Sequence, residues 1–203
     1  MRLTFMILFA GFLCWNTILA KDEAITDEPK SPKPIPAQGI DHFSDGHNLI
    51  RNGDFSEGTT NWVLGKYDGA SAIMILDGTN KLSGENSALI NIFSTDNKAS
   101  AIRLFQDMPV EGRTKYYLKF QAKVMEPKVI EITLSNDVQD YWKEEILLLP
   151  GQQQYGPFTF ESEAADYATS LVFNLGLSPG IINIDAVSVT GDFVKNEFVN
   201  RLQ

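Results

Sequence analysis

One pattern limits what this chain can fold into more than any other. From Asn48 onward, short apolar-alternating runs recur, each closed by Gly, Asn, Asp or Pro, and no amphipathic helical stretch interrupts them. The runs cover residues 70–76, 87–93, 101–108, 115–125, 129–134, 144–149, 155–161, 168–175 and 181–190. In an extended chain successive side chains point to opposite faces. Tyr116, Leu118, Phe120 and Ala122 therefore share one face, and Tyr117, Lys119, Gln121 and Lys123 the other. Leu171, Phe173 and Leu175 oppose Ser170, Val172 and Asn174 in the same way. Strands with one dry and one wet face, separated by turn residues, predict an all-β antiparallel β-sandwich or jelly roll.

The ends read differently. Arg2 precedes an apolar run over residues 3–13, the length of a signal-peptide core and short of the roughly 20 residues a membrane span needs. Cleavage after Ala20 makes 1–20 a signal peptide and the protein secreted, periplasmic or displayed at the cell surface. A lipoprotein anchor on Cys14 is the weaker alternative, because Leu13 stands where a small residue belongs. Cys14 is the single cysteine, so the mature chain has no disulfide, no thiolate zinc site and no cysteine nucleophile. Residues 21–44 carry Pro29, Pro32, Pro34 and Pro36 among polar neighbours and read as a linker. Residues 45–192 form the globular domain, and 193–203 a tail.

With 17 Lys+Arg against 26 Asp+Glu, the net charge is −9. Such a surface argues against nucleic acid or an anionic membrane as a partner, since phosphate binding relies on Lys and Arg to release counterions. A neutral ligand or a cation suits such a surface.

Four segments together carry a family resemblance. Asn48-Leu49-Ile50-Arg51-Asn52-Gly53-Asp54-Phe55 followed by Trp62 opens it; Asn86-Ser87-Ala88-Leu89, residues 116–123 and residues 182–189 follow in order. They resemble carbohydrate-binding modules of families 4, 9 and 22 across residues 48–192. The resemblance implies a two-sheet jelly roll of the galactose-binding-like type. Phe55 and Trp62 are large enough to plug the sandwich, and Trp62 is expected in the core. Asn52-Gly53 reads as a turn, because both residues tolerate positive φ.

The resemblance further implies a structural calcium ion. Carried over, its ligands are Asp185 in the final strand, the carbonyls of Gly53 or Asp54, and that of Ser87. Hard oxygen ligands suit this ion, and an apolar-flanked carboxylate needs a partner. Two departures from the resembled family stand out. Its usual acid after the opening Phe is Ser56 here, with Glu57 one place on, and the acid often found before its second strand is Gly84, with Glu85 next. Asp185 therefore either ligates calcium or accepts hydrogen bonds.

Sugar recognition joins flat aromatic faces with planar polar side chains. The loop 135–143 offers Tyr141 and Trp142, of which one faces the ligand, with Trp142 preferred. Arg103, Gln121 and Asn174 lie on wet strand faces, and Gln106 is a further candidate. Both histidines, His42 and His47, precede the domain, and no carboxylate pair of the glycosidase kind is evident. The expected function is therefore non-catalytic binding of a polysaccharide or oligosaccharide by a monomer. Modules of this kind are often accessory to glycoside hydrolases. The alternative is the same sandwich used for protein interaction or envelope structure.

Overall fold

The computed structural model describes residues 47–192. The expected signal peptide (1–20), the whole expected linker (21–44), Cys14, His42 and the expected tail (193–203) lie outside these residues. Within them, no helix is long and apolar enough to cross a membrane.

Ten strands form. They are β1 (Val63–Lys66), β2 (Ser71–Asp77), β3 (Ser87–Ser94), β4 (Ile102–Asp107) and β5 (Thr114–Val124), then β6 (Lys128–Ser135), β7 (Asp140–Leu148), β8 (Gly151–Ser162), β9 (Ser170–Asn174) and β10 (Gly180–Asp192). One sheet runs β1-β4-β9-β6-β7 and the second β2-β3-β10-β5-β8. Every pairing is antiparallel. This is the expected β-sandwich.

Nine strands fall on the nine expected runs. β1 was not foreseen, because Val63-Leu64-Gly65-Lys66 is too short to show a period. β7 begins at Asp140 rather than 144, since its first residues are mostly exposed and carry charge.

The alternation in β5 survives intact: Tyr116, Leu118, Phe120 and Ala122 are all buried. Aromatic contacts join the two sheets. Trp62 stacks on Phe55 at 5.5 Å and meets Phe173 at 6.2 Å, and Phe173 meets Phe120 edge-on at 5.2 Å. Trp62 also donates its indole N–H to the Asn52 carbonyl at 3.0 Å, so it is a core residue as expected.

The opening segment is bound onto β10. Leu49 donates to the Val189 carbonyl at 2.8 Å, and Val187 donates to the Gly53 carbonyl at 2.9 Å. Gly53 is required by this approach, because a Cβ there would lie 2.0 Å from the Val187 carbonyl oxygen. Asn52, not Gly53, takes the positive φ of that turn, at 50°.

Candidate functional site

The registers of the first sheet align its outward side chains in rows. One row is Gly65, Arg103, Asn174, Glu131 and Glu145; the next is Val63, Phe105, Val172, Thr133 and Lys143. At about 4.8 Å per strand, five strands make a face about 19 Å across.

At the β1 corner stands Tyr67, in the turn after the strand. Its ring lies against Gly65, where a Cβ would come within 2.8 Å of the ring atoms. The Arg103 guanidinium sits 4.8 Å from the ring centroid. Its Nε donates to the Ser100 carbonyl at 3.1 Å, which fixes the plane of the fork. Arg103 is in no ion pair among the described residues. A guanidinium held this way presents its remaining N–H groups to a ligand at little cost in side-chain entropy.

In mid-face, Asn174 is nearly buried and donates toward Thr133 Oγ1 at 3.4 Å and Glu131 Oε1 at 3.5 Å. Glu131 is ion-paired with Lys143. The carboxylate raises the Lys143 ammonium above its ordinary range, chiefly by hydrogen bonding. Glu131 and Glu145 are direct cross-strand partners. They stand side by side on one face instead of facing each other across a substrate, and Glu131 is already neutralised by Lys143. That arrangement lacks the opposed acid and base of a glycosidase.

At the opposite corner, Tyr141 is 37% exposed. Its hydroxyl donates to Asp166 at 2.5 Å and accepts from Asn136 Nδ2 at 3.0 Å. Asn136 also donates to Asp166 at 2.8 Å, and Ala168 donates its backbone N–H to the other Asp166 oxygen at 2.8 Å. The bond to Asp166 pushes the Tyr141 phenol up, and the same bond holds the Asp166 carboxyl down.

The structure thus divides the residues selected from sequence. Arg103, Asn174 and Tyr141 share the outer face of the first sheet. Trp142 does not join them: it points between the sheets and stacks on Phe160 at 5.1 Å. Gln106 also points inward. It accepts from the Arg51 N–H at 3.0 Å and donates to the Arg51 carbonyl at 3.1 Å, binding the opening segment to β4. Gln121 lies on the second sheet, opposite Asp185 and Gln154, and accepts from Gln152 at 3.0 Å. Tyr67, Phe105 and Glu131 share the first face and were not anticipated.

The expected calcium ligands sit at one end of the second sheet. The opening segment, the turn before β3 and Asp185 of β10 come together there. Ser83 N–H and Ser87 Oγ each donate to Asp185 Oδ2 at 2.8 Å, and a Cβ at Gly84 would lie 4.0 Å from the Asp54 carbonyl. Asp185 Oδ1 takes the Ala186 N–H at 2.6 Å. Asp185 is fully buried, whereas Glu57 and Glu85 are exposed. Among the described residues no three His, Cys, Asp or Glu side chains gather as a metal group. The donor set therefore does not fit a calcium ion: one buried carboxylate is present, and N–H and O–H donors point at both its oxygens.

No family model and no curated protein matches this sequence. Solved structures do match in fold. One is a CBM4 carbohydrate-binding module, at a TM-score of 0.58 and 22% identity, covering 70% of this chain and 99% of that one. A second is a CBM61 module in complex with β-1,4-galactotriose, at 0.51 and 13%, covering 72% and 99%. A third is a Stig cyclase from Fischerella sp. TAU, at 0.52 and 13%, covering 71% and 96%. The β-sandwich is that of carbohydrate-binding modules, on a scaffold that also carries a cyclase.

Proposed function

We propose that this protein is a non-catalytic carbohydrate-binding module that takes an extended neutral polysaccharide or oligosaccharide across the outer face of its first sheet. The observation that carries this is the face itself. Arg103 packed on Tyr67 and the anchored Tyr141 stand at opposite corners, with the Asn174, Glu131, Thr133 and Lys143 ladder between them. Aromatic rings pack on the C–H faces of pyranoses, and planar amides, guanidinium and carboxylate take pairs of hydroxyls. The CBM61 relative bound to β-1,4-galactotriose uses the same fold for a neutral oligosaccharide. In this reading the chain is exported by its first twenty residues, and the Pro-rich 21–44 segment spaces the module from whatever it serves, a glycoside hydrolase system included.

The test is affinity electrophoresis of the full chain through gels containing β-glucan, xylan or β-1,4-galactan. Retardation by one of these, relieved by Tyr67→Ala and by Arg103→Ala, supports the assignment. Migration unchanged in every gel refutes it.

A second reading, protein interaction, has one observation in its favour. Ile73, Ile75, Phe93 and Ile181 are about half exposed on the outer face of the second sheet, at 45, 49, 55 and 45%. Ile75 pairs with Leu89, and Ile73 and Ile181 both pair with Asn91, so they form one apolar band.

A further inference from the structure

We propose that hydrogen bonds internal to this protein stand in place of the calcium ion that the sequence resemblance implies, so that its stability is independent of calcium. Three observations carry this.

The first is the hydrogen bonding of Asp185. Ser83 N–H, Ser87 Oγ and Ala186 N–H occupy three of the roughly four acceptor directions of its carboxylate. A hydrogen directed at an oxygen from 2.8 Å stands where a cation would have to bind. Ser87 Oγ in turn accepts the Leu82 N–H at 2.7 Å, so the hydroxyl is committed at both ends.

The second is the neighbouring cleft, about 340 Å³, lined in part by Asn48, Asn52, Gly53, Asp54 and Ala186. Several of its side-chain oxygens are engaged as well. Asn48 Oδ1 accepts from Ile50 and Val189, Asn52 Oδ1 from Glu57 N–H, and Asp54 Oδ1 from Ser56. The Gly53 carbonyl, an expected ligand, accepts the Val187 N–H.

The third is charge. Calcium sites are tuned by their count of ligand carboxylates. Ser56 and Gly84 remove two acids at once, and neither neighbour compensates, because Glu57 and Glu85 both stand in solvent. The backbone turns sharply beside Asp185: Ala186 takes a φ of 49°, and the β5–β10 register shifts between Asp185 and Ser188. That bulge delivers the Ala186 N–H to the carboxylate beside it.

The test is thermal unfolding of the full chain in excess calcium chloride and in a chelator, with calcium titration calorimetry beside it. The expected result is one Tm in both buffers and no saturable heat of calcium binding. A Tm raised by calcium, or a saturable heat, overturns the proposal. Ser87→Ala is the second variant. It keeps the backbone carbonyl expected to ligate calcium and removes only the hydroxyl bridge. A Tm lowered equally in both buffers supports the proposal, and a Tm unchanged by the substitution overturns it. None of these readouts involves a glycan, so they stand apart from the carbohydrate assignment.

Discussion

The adjacent aromatics Tyr141 and Trp142 show how one position in register separates surface from interior. Trp142 fills the gap beside Phe160, so Trp142→Ala removes a ring contact and leaves a void. The expected cost is about 2 kcal/mol, below the range for fully buried Trp because the side chain is only partly covered; chemical denaturation measures it. Tyr141→Ala leaves a surface instead. It is expected to change the denaturation midpoint little and to reduce retention in a polysaccharide gel. The reverse pattern would put the platform at Trp142. The Tyr141–Asp166 bond also fixes a pH response. Asp166 has a folded pKa held below its unfolded value, so its contribution is full above the ordinary carboxylate range and is lost only as pH falls through the lower folded value. Tyr141 has the opposite sign: its neutral form is retained above the ordinary phenol range and is lost as pH rises through the raised value. Glycan binding is therefore expected to hold steady between those limits. In Asp166→Asn the Tyr141 phenol is expected to ionise at a lower pH, measured by ultraviolet difference titration.

Among the elements, the opening segment and its two holds on the sandwich matter most. Gln106 makes two bonds to the Arg51 backbone from a buried position, so Gln106→Ala removes both bonds that hold the opening segment to β4. The expected loss is about 1–3 kcal/mol, at about 0.5–1.5 for each of the two lost bonds. Gly53→Ala forces a methyl against the Val187 carbonyl and is expected to cost about 3 kcal/mol. Both are read from denaturant midpoints, and a shift near zero in either would mean the segment is not held as described. These elements also show what the sequence made legible. Period-two alternation placed nine strands and the buried side of β5. The same parity puts Gln106 with Ile102 and Leu104, on the dry side. It does not say which of two sheets a wet face belongs to, and so Gln121 was grouped with residues on the other side of the molecule. It also fails across an irregularity: the register shifts between Leu134 and Ser135, just where the parity of Tyr141 and Trp142 had to be decided. Tyr67 was invisible for another reason. It follows a four-residue strand and is laid on the sheet by Gly65, a contact made through folding back and not through spacing.

At the scale of the whole molecule, the charge and the binding face have to be reconciled. The chain carries −9, yet the face holds a Glu131–Lys143 pair and, at its β1 corner, an Arg103 with no carboxylate partner among the described residues. Locally the face is close to neutral, while the field beyond it is negative. A neutral glycan meets hydrogen bonds and stacking, neither of which salt screens strongly, so its affinity is expected to stay level as ionic strength rises. An acidic glycan is repelled by the distant charges while Arg103 attracts it at close range. Adding salt shortens the Debye length from about 30 Å at 0.01 M to about 8 Å at 0.15 M, which removes the long-range repulsion before the contact at Arg103. Acidic polysaccharides are therefore expected to bind weakly at low salt and better at moderate salt, opposite to the behaviour of a basic polyanion-binding protein. Affinity gels of matched neutral and uronate-bearing polysaccharides at the two ionic strengths separate these cases. Arg103→Ala is expected to weaken neutral binding by roughly tenfold, about 1.4 kcal/mol, and to abolish the salt-promoted binding of the acidic chain. If the variant kept that binding, the attraction would come from elsewhere on the surface.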